Sequence, residues 1–236
     1  MIGNKKVIAI IPARAGSKRL PGKNTRSLNG IPLLVYSIRA AKSCGLVDKV
    51  VVSTDSKEIA YLAENSGAEV DIREKRLSSD HAKTIDVLKD YLSRMHGFDI
   101  CVTLQPTSPL RTSNDIRLSL ELFENNDADA VISVCKVECP PQWVNVIGEL
   151  GQMDGFLEKS SKSKRSQDFK DYYRLNGAIY CNNIDKLHKS DSLIFESNSY
   201  AYVMPRKKSV DIDTIEDFEL AEFFLSKKIL KDFHLP

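Results

Sequence analysis

Short continuous apolar runs alternate with helix-patterned segments over the first two-thirds of the chain, and this alternation does most to limit what the chain can fold into. The runs are "KVIAII" (Lys6–Ile11), "KVVVST" (Lys49–Thr54), "AEVDI" (Ala68–Ile72), "DICVTLQ" (Asp99–Gln105) and "DAVISVC" (Asp129–Cys135). A strand that is apolar at successive positions is buried on both faces. Between the runs, apolar residues recur at helical spacing. One helix starts at Pro32, carries Leu33, Leu34, Ile38 and Ala41 on one face and stops at Gly45. A second is capped by Asp55 or Ser56 and ends at Asn65; a third, "TIDVLKDYLSRM", shows Ile85, Leu88 and Leu92; a fourth, "SNDIRLSLELFENN", is capped by Ser113 or Asn114. Strand alternating with helix predicts an α/β fold, a mostly parallel sheet with helices on both faces. In such sheets ligands bind beyond the carboxyl ends of the strands.

The alternation breaks at Pro140. From there to about Tyr173 the chain is irregular and includes the Lys- and Ser-rich "EKSSKSKRSQDFKD". Regular structure returns with "GAIYC" and "SYAYVMP". The chain closes on a helix, "TIEDFELAEFFLSKKIL", with Thr214 as N-cap, acids in its first turn and lysines in its last. The expectation is one domain over residues 1–236 with an inserted arm at about 140–175.

The basic and acidic residues nearly cancel, 34 against 32, so no global field favours nucleic acid. No apolar run approaches the ~18 residues that a membrane span needs, and no secretory h-region is visible. The five cysteines read as buried free thiols of a reducing cytoplasm. Cys135 and Cys139 lack the second pair of a zinc site.

Three segments carry chemistry. In "IIPARAGSKRLPGKN" (Ile10–Asn24) a buried strand runs into a loop with two glycines and the cations Arg14, Lys18, Arg19 and Lys23. Glycines let backbone approach a ligand, and Arg and Lys meet phosphate oxygens as a fork and as a point charge. The order is not that of a Walker A loop, since Asn24 stands where Ser or Thr would bind magnesium. In "SVDIDT" (Ser209–Thr214), Asp211 and Asp213 are spaced to share one face of an extended segment, which suits Mg²⁺ beside a triphosphate; alternatively Asp213 only starts the helix. In "TLQPTSPLRT" (Thr103–Thr112) two prolines stiffen a polar loop whose Gln105, Thr107 and Ser108 suit a polyhydroxylated ligand.

Taken together with "VVSTDSKEIA" and "YRLNGAIY", these segments resemble, in order and over nearly the whole chain, the acylneuraminate cytidylyltransferases, or CMP-sialic acid synthetases. The resemblance implies a Rossmann-like nucleotidyltransferase with a small dimerisation arm, working as a homodimer. It would join CTP to a nine-carbon nonulosonic acid with Mg²⁺ as cofactor, giving a CMP-sugar for surface glycan synthesis. It places Arg14 and Lys23 on the triphosphate, Ser17 and Asn24 at the nucleotide, Arg73 and Thr84 around the cytosine, Gln105, Thr107, Asn176 and Tyr180 on the sugar, and Asp211 and Asp213 on the metal. Arg14, Lys23 and Asp211 would be the catalytic set. Glu74 replaces a proline usual in the family, which leaves Arg76 as an alternative to Arg73. The arm has Arg165-Ser166-Gln167 where the family has Arg-Gln, so Arg165 is a candidate intersubunit contact. Trp143 either shapes the sugar pocket or is buried in the arm. The other readings are a CMP-Kdo-type synthetase and a catalytically silent nucleotide-binding protein. The resemblance leaves N-acetylneuraminate, legionaminate and pseudaminate open.

Overall fold

A computed structural model describes residues 1–161 and 163–226. Its core is a seven-stranded sheet. The chain forms β1 (Val7–Pro12), a short hairpin β2 (Ser27–Leu28) and β3 (Ile31–Pro32), α1 (Leu33–Lys42), β4 (Lys49–Thr54), α2 (Lys57–Asn65), β5 (Glu69–Ile72), α3 (Thr84–Leu92), β6 (Ile100–Thr103), α4 (Ser113–Asn125), β7 (Ala130–Lys136), β8 (Tyr173–Asn183), α5 (Ile184–Lys189), β9 (Ser199–Val203) and α6 (Ile215–Ser226). Strand order is β5-β4-β1-β6-β8-β7-β9. Only β8 runs against its two neighbours, β6 and β7.

The sequence pattern follows from the layering. Val7, Ala9 and Ile11 of β1 pack with α1, α2 and α4, while Ile8 and Ile10 pack with α3 and α5. Both faces of β1 are covered, so every position is apolar. After β1 the chain moves outward to β4 and β5, then crosses back to β6 on the other side of β1. The order therefore reverses between β1 and β6, where ligands of open α/β sheets bind.

Several local expectations change. Thr112, not Ser113 or Asn114, caps α4: its Oγ1 accepts the Asp115 N–H at 3.3 Å and Asp115 Oδ2 accepts the Thr112 N–H at 2.8 Å, a reciprocal capping box. Ser56 caps α2, and Asp55 instead accepts the Ala15 N–H at 2.9 Å. Pro32 ends β3 and stands just before α1, and α3 stops at Leu92. The hairpin and α5 are additions to the expected elements. The hairpin turn is Asn29-Gly30, both at positive φ (48° and 80°), the pair favoured in two-residue turns. It docks on α6, whose Glu222 accepts the Asn29 N–H. Thr214 caps α6 as expected, sharing reciprocal bonds with Asp217; the last-turn lysines, Lys227 and Lys228, lie outside the described residues.

In the arm, Trp143 stands edge-on to Phe169, ring centres 5.7 Å apart, and is half-buried there. Four cysteines are buried free thiols, but Cys139 is exposed at the arm's base, because the apolar run it follows ends before it. No helix among the described residues is long and apolar enough to cross a membrane.

A buried ion pair ties the turn before "SVDID" to the main body. Lys208 Nζ lies 3.2 Å from Asp115 Oδ2, with side chains 8% and 3% exposed. The Tyr202 hydroxyl donates to the other carboxylate oxygen at 3.1 Å.

Candidate active site

A cleft of about 490 Å³ opens at the reversal point, beyond the carboxyl ends of β5, β1 and β6. The loop after β1 supplies Arg14, Ser17, Lys23 and Asn24; Arg73 follows β5; Thr84 begins α3; Gln105 and Thr107 follow β6; Asp213 closes one side. The chain thus brings together residues from five separate segments.

The basic loop is fastened at several points. Asn24 Nδ2 donates to the Arg14 carbonyl at 2.9 Å, and Asp55 holds the loop's other end through Ala15. Gly22 adopts a left-handed φ of 66°, turning the chain into the short helical turn that carries Lys23. Lys23 is almost buried. Its Nζ donates to the Ile212 carbonyl at 2.6 Å and to Asp213 Oδ1 at 3.0 Å. Arg19 pairs with the other Asp213 oxygen at 2.9 Å. Arg14 and Lys18 converge on Asp80 at 2.9 and 2.6 Å. These cations, Lys18 first, hold the Asp80 carboxyl below the usual carboxylate range. Sequence reasoning missed Asp80; its only signal was an acid in a polar loop elsewhere in the chain.

The "DID" segment is pinned from both sides: Lys23 takes the Ile212 carbonyl, and the Thr107 carbonyl accepts the Ile212 N–H at 2.8 Å. Asp211 and Asp213 both border an adjoining cavity of about 650 Å³. Burial pushes the Asp211 carboxyl up, the nearby Asp213 charge adds to this, and a hydrogen bond from Thr107 works against it. Oδ1 of Asp211 is buried with no hydrogen-bond partner among the described residues. Buried carboxylate oxygens are seldom left so.

The structure separates the two arginines whose register was open. Arg73 is buried, lines the cleft, and has an Nε with no partner among the described residues. Burial pushes its guanidinium down. Arg76 is exposed, pairs with Glu74 and Asp90, and borders a neighbouring groove with His81.

Two expected sugar contacts are placed elsewhere. Asn176 is 1% exposed and its amide is consumed inside the protein. Its Nδ2 donates to Ser209 Oγ at 3.0 Å and Met204 Sδ at 3.3 Å; its Oδ1 accepts from Ser133 Oγ at 2.6 Å and Ala178 N at 3.2 Å. In this structure the Asn176 amide thus bonds within the protein and holds the backbone around it. Tyr180 sits in a small apolar cluster with Ala130 and Ile132, outside the cleft lining. Burial raises its phenol, and the Asp211 charge adds to this. Arg165 is exposed beside Asp168.

What Asn176 holds is a bulge. The register between β7 and β8 shifts between Ile132 and Val134, and β8 carries the extra residues. Gly177, at the bulge, has a φ of +73°, and a Cβ there would lie 2.8 Å from Gln105 Oε1 and 3.7 Å from Asp211 Oδ2. A glycine in the middle of a strand was the available signal.

The cytidylyltransferase family model matches residues 8–232. This chain belongs to the cytidylyltransferase family. An N-acylneuraminate cytidylyltransferase of Streptococcus agalactiae is 39% identical over 215 residues, 90% of this chain and 52% of that protein. The chain spans about half the length of such relatives. A CMP-N,N'-diacetyllegionaminic acid synthase of Legionella pneumophila is 36% identical over 228 residues, 92% of this chain and 95% of that protein. A solved CMP:2-keto-3-deoxy-manno-octonic acid synthetase complexed with CTP is similar in fold, with a TM-score of 0.71 over 94% of this chain and 99% of that one, at 18% identity.

Proposed function

We propose that this cytidylyltransferase joins CTP to a nonulosonic acid, releasing pyrophosphate and a CMP-sugar for surface glycan synthesis. The observation that carries the reading is the meeting of Arg14, Lys23 and Asp213 around one cleft at the sheet's reversal point, with Asp213 shared by the adjoining cavity that Asp211 borders. In the reaction, the acid's anomeric 2-hydroxyl oxygen bonds to the α-phosphorus of CTP. The bond to the β-phosphate oxygen breaks in line, and the hydroxyl proton passes to the Asp211 carboxylate or to water. Arg14, Ser17, Lys23 and Asn24 hold the triphosphate, and Arg14 and Lys23 balance charge on the departing pyrophosphate. Arg73 and Thr84 face the base. Gln105 and Thr107 orient the acid. Positioning and charge compensation are the main tools of such a transfer.

Asp211 and Asp213 fit a divalent cation. Asp211 offers a buried oxygen with no hydrogen-bond partner among the described residues, and Mg²⁺ is typically bound by one or two carboxylates together with substrate phosphates. When bound, Mg²⁺ supplies charge neutralisation and alignment at the phosphates. Chelation of divalent metal is expected to abolish pyrophosphate release, and activity within tenfold of normal after chelation would exclude that cofactor.

The relatives named above act, by their names, on N-acylneuraminic and diacetyllegionaminic acids, whereas the octonic acid synthetase shares only the fold. The deciding assay is pyrophosphate release with CTP and Mg²⁺ against N-acetylneuraminate, legionaminate, pseudaminate and Kdo. Preference for one of the first three supports the reading; preference for Kdo replaces it; CTP binding without turnover of any acid indicates a binding protein.

We further infer a cytoplasmic homodimer joined through the arm. The buried free thiols suit a reducing compartment. Val146 and Leu150 on the arm are 86% and 87% exposed, more than isolated surface residues of a monomer need. Light scattering at micromolar protein is expected to give twice the chain mass, and charged residues at both positions are expected to give the monomer.

Lys23→Ala is expected to lower kcat by about 10², with a smaller loss of CTP affinity, because the ammonium meets charge that grows as pyrophosphate departs. Paired calorimetry and steady-state kinetics check this; a defect confined to the Kd for CTP would assign Lys23 to ground-state binding.

A further inference from the structure

Arg111 is the largest fully buried side chain in the protein, at 1% exposure. It has no carboxylate at ion-pair distance among the described residues; the Asp115 charge acts on it only from further away. Its Nε has no partner there either. A buried cation without a direct counter-ion is costly, and an apolar residue of similar volume usually serves packing as well or better. What the guanidinium does make is a three-way tie. Nη1 donates to the Ala178 carbonyl at 2.7 Å and to the Gln105 carbonyl at 3.3 Å, and Nη2 donates to Ser37 Oγ on α1 at 2.6 Å.

The two carbonyls belong to segments distant in sequence but adjacent in the sheet: Gln105 follows β6, and Ala178 lies in β8, which pairs with β6. Gln105 carries the amide that lines the cleft. Ala178 follows Gly177, whose missing Cβ leaves the room that the Gln105 amide occupies. One nitrogen, Nη1, meets both carbonyls while the second, Nη2, anchors the group to Ser37; a lysine has a single nitrogen and cannot hold both positions at that spacing.

We propose that Arg111 is a positioning residue for the acceptor acid: by clamping the Gln105 and Ala178 carbonyls it fixes the gap between the Gln105 amide and the β8 bulge. This inference rests on the cytidylyl-transfer reading above. The nucleotide side of the cleft, built from the loop after β1 and from Arg73, is fastened independently through Asn24 and Asp55.

The test compares wild type, R111K and G177A. CTP affinity is measured by calorimetry, kcat and KM for each substrate by pyrophosphate release, and melting by scanning calorimetry. R111K is expected to raise KM for the acid at least tenfold and to lower kcat, with the Kd for CTP within about threefold of wild type. G177A leaves Arg111 in place but crowds the Gln105 amide, and is expected to reproduce the acceptor defect; it keeps the test open if R111K fails to fold. Parallel losses of CTP affinity, acceptor KM and melting temperature would make Arg111 a general structural residue and overturn the proposal. So would an unchanged acceptor KM in both variants while wild type turns over. A wild type that binds CTP but turns over no acid instead overturns the functional reading, and this inference with it.

Discussion

Asp211→Asn is expected to lower kcat by about 10³ while leaving the melting temperature unchanged or slightly higher. The two halves of this result have separate causes. The substitution removes a carboxylate whose Oδ1 has no partner among the described residues and which, in the proposed reaction, serves the metal and the transfer step. Loss of charge stabilisation there amounts to several kcal/mol, about 10³ in rate. For stability the sign is opposite. Burial raises the Asp211 carboxyl in the folded protein. A carboxyl raised on folding binds its proton more tightly in the native state, so above its folded pKa the ionised group opposes folding. The neutral, nearly isosteric amide removes that opposition and can still meet the Thr107 hydroxyl. Steady-state pyrophosphate release and scanning calorimetry at neutral pH check both halves. A drop of several degrees with kcat within tenfold of wild type would mean that Asp211 is structural.

Asp115→Ala is expected to be the most destabilising change outside the cleft, at about 3–5 kcal/mol. It strips the buried Lys208 ammonium of the Asp115 carboxylate, takes the acceptor from the Tyr202 hydroxyl, and dismantles the capping box that starts α4. The cap alone is worth about 1 kcal/mol, so most of the loss comes from the buried charge. The double variant with Lys208→Met is expected to recover at least half of it, because the burdened charge is then gone as well. Urea unfolding of the two single variants and the double variant closes the cycle. A loss near 1 kcal/mol in Asp115→Ala would show that only the cap mattered.

The layered sheet was legible because both faces of its first strands are covered, which makes the runs continuously apolar and hard to mistake. The basic loop was legible because its charge is concentrated where a buried strand ends. The direction of β8 was not. Whether "GAIYC" pairs parallel or antiparallel depends on how the arm returns the chain to the sheet, and nothing local encodes that. The Asn29-Gly30 turn carried its signal in plain view, but strands of two residues are too short to announce themselves. At α4, Thr112 and Asp115 have the spacing of a capping box, and neighbouring Ser113 and Asn114 are equally good caps by composition. The internal bonding of Asn176 was not legible, because a strand motif says nothing of the bulge at which that amide bonds to Ser133 and Ser209. Arg111 was invisible for a related reason, since an arginine after "SPL" looks like any surface cation until the fold buries it.

The arm and the cleft are joined by strand, not by loop. β8 starts at Tyr173, where the arm ends, and reaches Gly177 four residues later, a distance of about 13 Å along an extended chain. Its first residues are paired with β7 at Lys136, Cys135 and Val134, so they form a stiff rod and not a tether. A pull on the outer segment is then delivered to the bulge with little slack, as by a lever whose short end lies between Gln105 and Asp211. A body that gripped the arm would adjust, from outside, the gap between the Gln105 amide and the bulge.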